Sequence, residues 1–235
     1  MNLQEIMTLL ESKGSEQTRK IFRNHGAPEP LFGVKVGDLK PIAKRIKGDQ
    51  ALSMRLYETG NSDAMYLAGL VADGRRMTKA ELNHWAESAT WHMISGYTVP
   101  WVAAEHPDAV HIALEWIDSP KEHVATSGWA TLASVVCVVP DESLPVDLLA
   151  LLLSRVVETL HASPNRVRYV MNGFVICCGT YVAPLAESAL QAADKIGRVE
   201  VDVGKTQCKV PDARSYILKS RRGLPVAPKR RTTRC

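Results

Sequence analysis

Five tryptophans, Trp85, Trp91, Trp101, Trp116 and Trp129, against three phenylalanines are the most unusual chemical resource in this sequence. Cations flank them: Lys35, Lys40, Lys44, Arg45 and Lys47 come before, Arg166 and Arg168 after, then Lys205, Lys209, Lys219, Arg221 and Arg222. Rings among cations suit a nucleic acid, because Lys and Arg neutralise phosphates and release counterions while a ring lies against sugar or base. Large rings also fill gaps between stacked helices, and the sequence alone leaves both uses open. The charge distribution points toward phosphate. The chain carries +4 overall, yet residues 205–235 hold ten Lys/Arg against one acid, so the remainder is acidic on balance. Arg166 and Arg168 stand beside a helix start at Ser163-Pro164, whose backbone N–H groups would add to anion binding.

Other chemistries lack their residues. The seven histidines form no H-E-x-x-H pair or close ligand spacing, and no metal or cofactor is expected. Gly204-Lys205-Thr206 resembles the end of a phosphate loop, but Val199 stands where the loop needs its first glycine. No G-x-S-x-G, G-x-G-x-x-G or Cys-His signature is present. Five cysteines, an odd number without a C-x-x-C pair, read as reduced thiols, with Cys137, Cys177 and Cys178 in apolar runs and Cys208 and Cys235 accessible. The N-terminus lacks a continuous apolar core, and no apolar run approaches the roughly 20 residues of a membrane span, so a cytoplasmic protein is expected, nucleoid-associated when bound to DNA.

The elements that would position these residues are helical. Leu144, Leu148, Leu152 and Val156 recur every four, Val167, Val170, Met171, Phe174, Val175 and Cys178 draw a second stripe, and Val110, Leu114 and Ile117 a third. Start signals at Ser62-Asp63, Thr78-x-x-Glu81, Pro107-Asp108, Ser119-Pro120 and Ser163-Pro164 divide the chain into roughly twelve helices. Trp116-Ile117-Asp118-Ser119-Pro120 and Leu160-His161-Ala162-Ser163-Pro164 occupy matching places, with Gly128-Trp129 and Gly173-Phe174 following. That period, in the forties, predicts an all-α superhelix of antiparallel helix pairs, HEAT-like or armadillo in type, as one domain over residues 1–222. Alternation of Val199, Val201 and Val203 with charged residues before Gly204 predicts a small β-hairpin near 198–210, and residues 223–235 read as a flexible basic tail.

Phe32-Gly33-Val34-Lys35-Val36-Gly37-Asp38-Leu39-Lys40, Ser127-Gly128-Trp129, Asn165-Arg166-Val167-Arg168-Tyr169, Met171-Asn172-x-Phe174 and Cys208-Lys209-Val210-Pro211 together resemble the DNA alkylation repair (AlkD-like) family, in a little-characterised bacterial branch. The resemblance implies a HEAT-like fold and action on alkylated DNA. In the family's glycosylases two tryptophans, an arginine and an aspartate surround the damaged nucleotide, the aspartate stabilising positive charge on the sugar as the glycosidic bond breaks. Position by position, Trp91 matches the first tryptophan, Ser95 falls at the aspartate, Thr126 at the arginine and Phe174 at the second tryptophan. A serine hydroxyl cannot supply the charge attraction of a carboxylate, so the resemblance makes Trp91, Ser95 and Phe174 the catalytic positions and leaves enzymatic activity open.

Three functional readings follow. The first is a monomeric protein recognising alkylated or distorted double-stranded DNA through a basic concave groove, contacted by Lys40, Lys44, Trp129, Arg166, Arg168, Lys205, Lys209, Lys219, Arg221 and Arg222. The second is an N-alkylpurine DNA glycosylase releasing 3-methyladenine or 7-methylguanine with Trp91 and a displaced acid, for which Glu87 and Glu105 are near in sequence. The third is a protein-interaction scaffold.

Overall fold

The computed structural model describes residues 1–234, and among them every regular element is helical. Cys235, expected to be accessible, lies outside the described residues. Where the repeat pattern predicts one domain, the chain divides into two compact units: residues 1–107 with 203–207, and residues 108–202 with the segment from 208 onward.

The first unit holds α1 (Leu3–Lys13), α2 (Glu16–Asn24), α3 (Val36–Arg45), α4 (Gln50–Glu58), α5 (Ser62–Val71), α6 (Lys79–Ser88) and α7 (Val99–Ala103). Polar side chains begin α1, α2, α4, α5 and α6 by taking up N–H groups that have no intrahelical acceptor. Thr78 and Glu81 form a reciprocal capping box, and Asn61 accepts from Asp63 and Ala64 ahead of α5. α4 packs against α5, which is buried on nearly every side. Residues Ile94–Thr98 make a π-helical turn after Trp91.

The extended segment before α3 has no helical partner for its own N–H groups, and Asp63 of α5 supplies one. Phe32, Gly33 and Val34 donate to its carboxylate at 2.7, 3.0 and 2.8 Å. Burial pushes this carboxyl above its usual value, against the downward pull of the three donors. Gly33 has φ 77°, and a Cβ there would sit 2.5 Å from the Arg19 backbone nitrogen, so only glycine lets the segment pass α2.

The second unit holds α8 (Ala109–Ile117), α9 (Glu122–Val138), α10 (Val146–Thr159), α11 (Asn165–Tyr181), α12 (Ala186–Ile196) and α13 (Ala213–Arg221). The stripe from Val167 to Cys178 is buried as the periodicity predicts, whereas α8 buries Ile112, Ala113 and Trp116 in preference to Val110 and Leu114. α9 packs against both α8 and α11. A Cβ on Gly128 would stand 2.7 Å from the Ile117 nitrogen, so two backbones touch there. The sequence period becomes contact at α9 and α11. Glu122 accepts the N–H of Arg166, 44 positions later, at 2.6 Å, and Trp129 meets Phe174 edge-on with ring centroids 5.4 Å apart.

Two expectations are corrected. Residues 198–210 form no hairpin: no strand is found there, and the Asn165 side chain accepts from the Asp202 N–H at 2.7 Å and donates to its carbonyl at 2.8 Å. One amide thus meets the backbone demand that a second strand would otherwise satisfy. The tail, predicted to be flexible, is tied down in its described part. Ala227 N–H donates to Thr180, Arg230 N–H donates to Cys137, and Lys229 reaches the Val136 carbonyl at 2.9 Å and Asp141 at 2.8 Å.

Replacing Asp63 with Asn leaves one acceptor oxygen for three donors and turns an NH2 toward N–H groups. We expect a loss of about 2 kcal/mol or more in urea unfolding; an unchanged midpoint would show that the carboxylate does not hold the segment.

Candidate functional site

In the first unit Trp91 follows α6 with its indole N–H on the His25 carbonyl at 3.1 Å and the Phe22 ring 5.3 Å away. It is 4% exposed and helps to line a cavity of about 230 Å³ together with Pro28, Glu29, Tyr57, Glu58 and His84. Glu58 holds His84 at 3.0 Å, and Glu29 is bound by Arg23 at 2.7 Å, whose guanidinium keeps that carboxyl below its usual value. Tyr57 stacks on Trp85 at 3.9 Å and donates to the Trp85 carbonyl; burial pushes its hydroxyl well up, so it stays protonated.

Ser95, at the position where the resemblance implies a catalytic acid, is 2% exposed, donates to the Trp91 carbonyl at 3.3 Å and is not among the residues lining the cavity. Glu87 and Glu105 do not line it either; Glu105 accepts from the Gly74 N–H at 3.1 Å. The carboxylates beside Trp91 are Glu29 and Glu58. They stand far from it in sequence and belong to no motif with it, so nothing in the order of residues marks them.

In the second unit Phe174 is fully buried and Trp129 is 1% exposed, each in contact with the other. Arg155, itself paired with Asp118 at 2.7 Å, lies 5.7 Å from the Trp129 ring centroid. Thr126 is also buried. Trp129, expected on DNA, and Phe174, expected at a nucleotide, meet each other between α9 and α11, and all five tryptophans are buried.

The cations divide more sharply than the sequence suggests. Lys40 and Lys44 on α3, with Lys205 in the 203–207 segment, are exposed in the first unit, and Lys209, Lys219 and Arg222 are exposed in the second. Arg166 and Arg168 are half-buried. At the N-terminus of α11 beside them, Glu122 takes the Arg166 N–H and so places a carboxylate at that end. Arg221 is not available to a phosphate. It is 8% exposed and donates to the carbonyls of Gly179 at 2.8 Å and Ala186 at 2.9 Å, groups near the end of α11 and the start of α12 that lie within reach of its fork.

A family model described as DNA alkylation repair enzyme matches residues 6–217. The uncharacterized protein Lin0241 of Listeria innocua is 38% identical over 223 residues, covering 92% of this chain and 96% of that protein. Lmo0209 of Listeria monocytogenes is 37% identical over the same shares. A solved structure from a family described as related to the HEAT-like repeat DNA glycosylases, with affinity for branched DNA structures, superposes with a TM-score of 0.91 at 35% identity and full coverage of both chains.

Exchanging Arg221 for Gln should cost about 2 kcal/mol in chemical unfolding, since a buried and a half-buried carbonyl lose charged donors. Lys219→Gln and Arg222→Gln should stay within about 0.5 kcal/mol of the parent; equal losses at all three positions would refute the division into structural and free cations.

Proposed function

Given that the chain belongs to the DNA alkylation repair enzyme family, we propose that it is a DNA-binding protein that favours branched or otherwise distorted DNA over plain duplex. The observation that carries this reading is the full-length likeness, at 35% identity, to a protein with affinity for branched DNA structures. The exposed cations support it. Lys40, Lys44 and Lys205 of the first unit and Lys209, Lys219 and Arg222 of the second supply the backbone contacts. Alkylated DNA fits the same reading as one source of distortion, recognised through its deformability and not through a base-specific contact.

With about five such contacts, affinity for a four-way junction should fall by roughly several hundredfold between about 50 and 200 mM salt. Removing Lys40 and Lys44 together should lower the slope of log affinity against log salt by about 2. Fluorescence anisotropy with labelled junctions and linear duplex tests both statements; no measurable binding to either DNA at low salt defeats the reading.

One feature favours a second reading, excision of a cationic alkylated purine. Trp91 shares its cavity with Glu29 and Glu58, and a carboxylate beside a sugar losing its base stabilises the developing positive charge electrostatically. Glu58, steadied by His84, is the better placed of the two, since Arg23 already neutralises Glu29. Incubation with methylated DNA should then release 7-methylguanine or 3-methyladenine above the spontaneous rate, and Glu58→Gln should remove the excess. Release equal to the protein-free control excludes this reading and leaves the DNA-binding reading intact.

A further inference from the structure

Three of the cysteines gather near the ends of α9 and α11, and nothing described so far uses them. α9 runs to Val138 and α11 to Tyr181, and the two helices pack against each other. Cys137 in the last turn of α9 is 4% exposed, Cys177 on α11 is half-buried, and Cys178 beside it is fully buried. Cys137 and Cys177 touch: the Cys137 thiol donates a hydrogen bond to the Cys177 sulfur. The tail bonds to both helix ends at the same level. Arg230 N–H donates to the Cys137 carbonyl at 2.8 Å and Ala227 N–H to the Thr180 carbonyl at 2.7 Å.

The sulfurs differ in chemistry. The hydrogen bond from Cys137, with the Arg230 guanidinium nearby, holds the Cys177 thiol below its usual value against the opposing effect of burial. Donating that bond and being buried push Cys137 well up, and burial does the same to Cys178. A cysteine that serves only as a small hydrophobe needs no such contact, and Cys178 fits that description. A half-buried sulfur that ionises readily, with a buried thiol against it, is the arrangement of an attacking cysteine and its resolving partner.

We propose that Cys137 and Cys177 are a peroxide-sensitive thiol pair that closes to a disulfide between α9 and α11. The Cys177 thiolate attacks one oxygen of hydrogen peroxide and the O–O bond breaks. The departing hydroxide takes up the proton that Cys177 shed, leaving water and a Cys177 sulfenic acid. The Cys137 sulfur then attacks the Cys177 sulfur, the S–O bond breaks, and the hydroxide released leaves as a second water with the Cys137 proton. In total two thiols lose two electrons and two protons to one peroxide. The new bond ties together the two helix ends that anchor the tail. It forms whether or not the protein binds DNA.

The test treats the folded full chain with hydrogen peroxide, caps the remaining thiols with N-ethylmaleimide, and digests it without reductant for tandem mass spectrometry. The expected product is a peptide containing Cys137 joined to one containing Cys177, lighter than their sum by two hydrogen atoms and separated by dithiothreitol. Fragment ions distinguish a bond on Cys177 from one on Cys178. Cys178→Ala and Cys208→Ser should keep the cross-link. Cys137→Ser should lose it and accumulate a Cys177 sulfenic acid that dimedone captures, and Cys177→Ser should lose both. Absence of a Cys137–Cys177 bond in wild type at peroxide doses that consume the exposed Cys208 overturns the proposal, as does a bond made through Cys178. Thermal unfolding before oxidation accompanies each variant, and where a variant does not fold the wild-type result decides by itself.

Discussion

A buried carboxylate facing backbone N–H groups is the interaction on which the arrangement of this protein depends. Asp63 holds three consecutive donors of the segment leading into α3, and through them sets where Lys40 and Lys44 emerge. The second unit uses acids nearer the surface toward backbone N–H groups as well. Glu122 takes the first turn of α11, and Asp141 accepts the Ala183 N–H at 2.8 Å while holding Lys229. The Asp63 exchange is the buried one, and an unsatisfied donor there would cost about 1 to 3 kcal/mol.

This use of acids has an electrostatic consequence for function. Asp63, Glu122, Asp141 and Asp212 are engaged in capping or clamping, so their charge is compensated locally. Lys40, Lys44, Lys205, Lys209, Lys219 and Arg222 are exposed. The carboxylates of the Trp91 cavity are the exception. Glu58 pairs with His84 and not with an arginine.

Much of the fold was legible because its signals are local. Apolar spacing on α11, the Thr78 and Glu81 capping box and the shared Ser-Pro starts each act within a turn or two of helix, and the period they define reappears as contact between Glu122 and Arg166 and between Trp129 and Phe174. The hairpin failed for a related reason. Alternation at Val199, Val201 and Val203 cannot say whether the neighbour is a strand or, as at Asp202, the amide of Asn165. The site was less legible. Trp129, Phe174 and Arg221 have residue types suited to nucleic acid, yet burial against a helix from elsewhere in the chain removes them from solvent.

The sequence by itself determined the helices, the repeat, the family and the uneven charge, because each follows from residue types and short spacings. The tertiary structure alone decided which rings and cations face water, that Glu29 and Glu58 rather than Ser95 line the cavity with Trp91, and that Tyr216 on α13 is exposed. The physical reason is that exposure and proximity are properties of two surfaces meeting. A residue's type fixes only what it can contribute; which helix covers it is settled by packing across many positions of the chain.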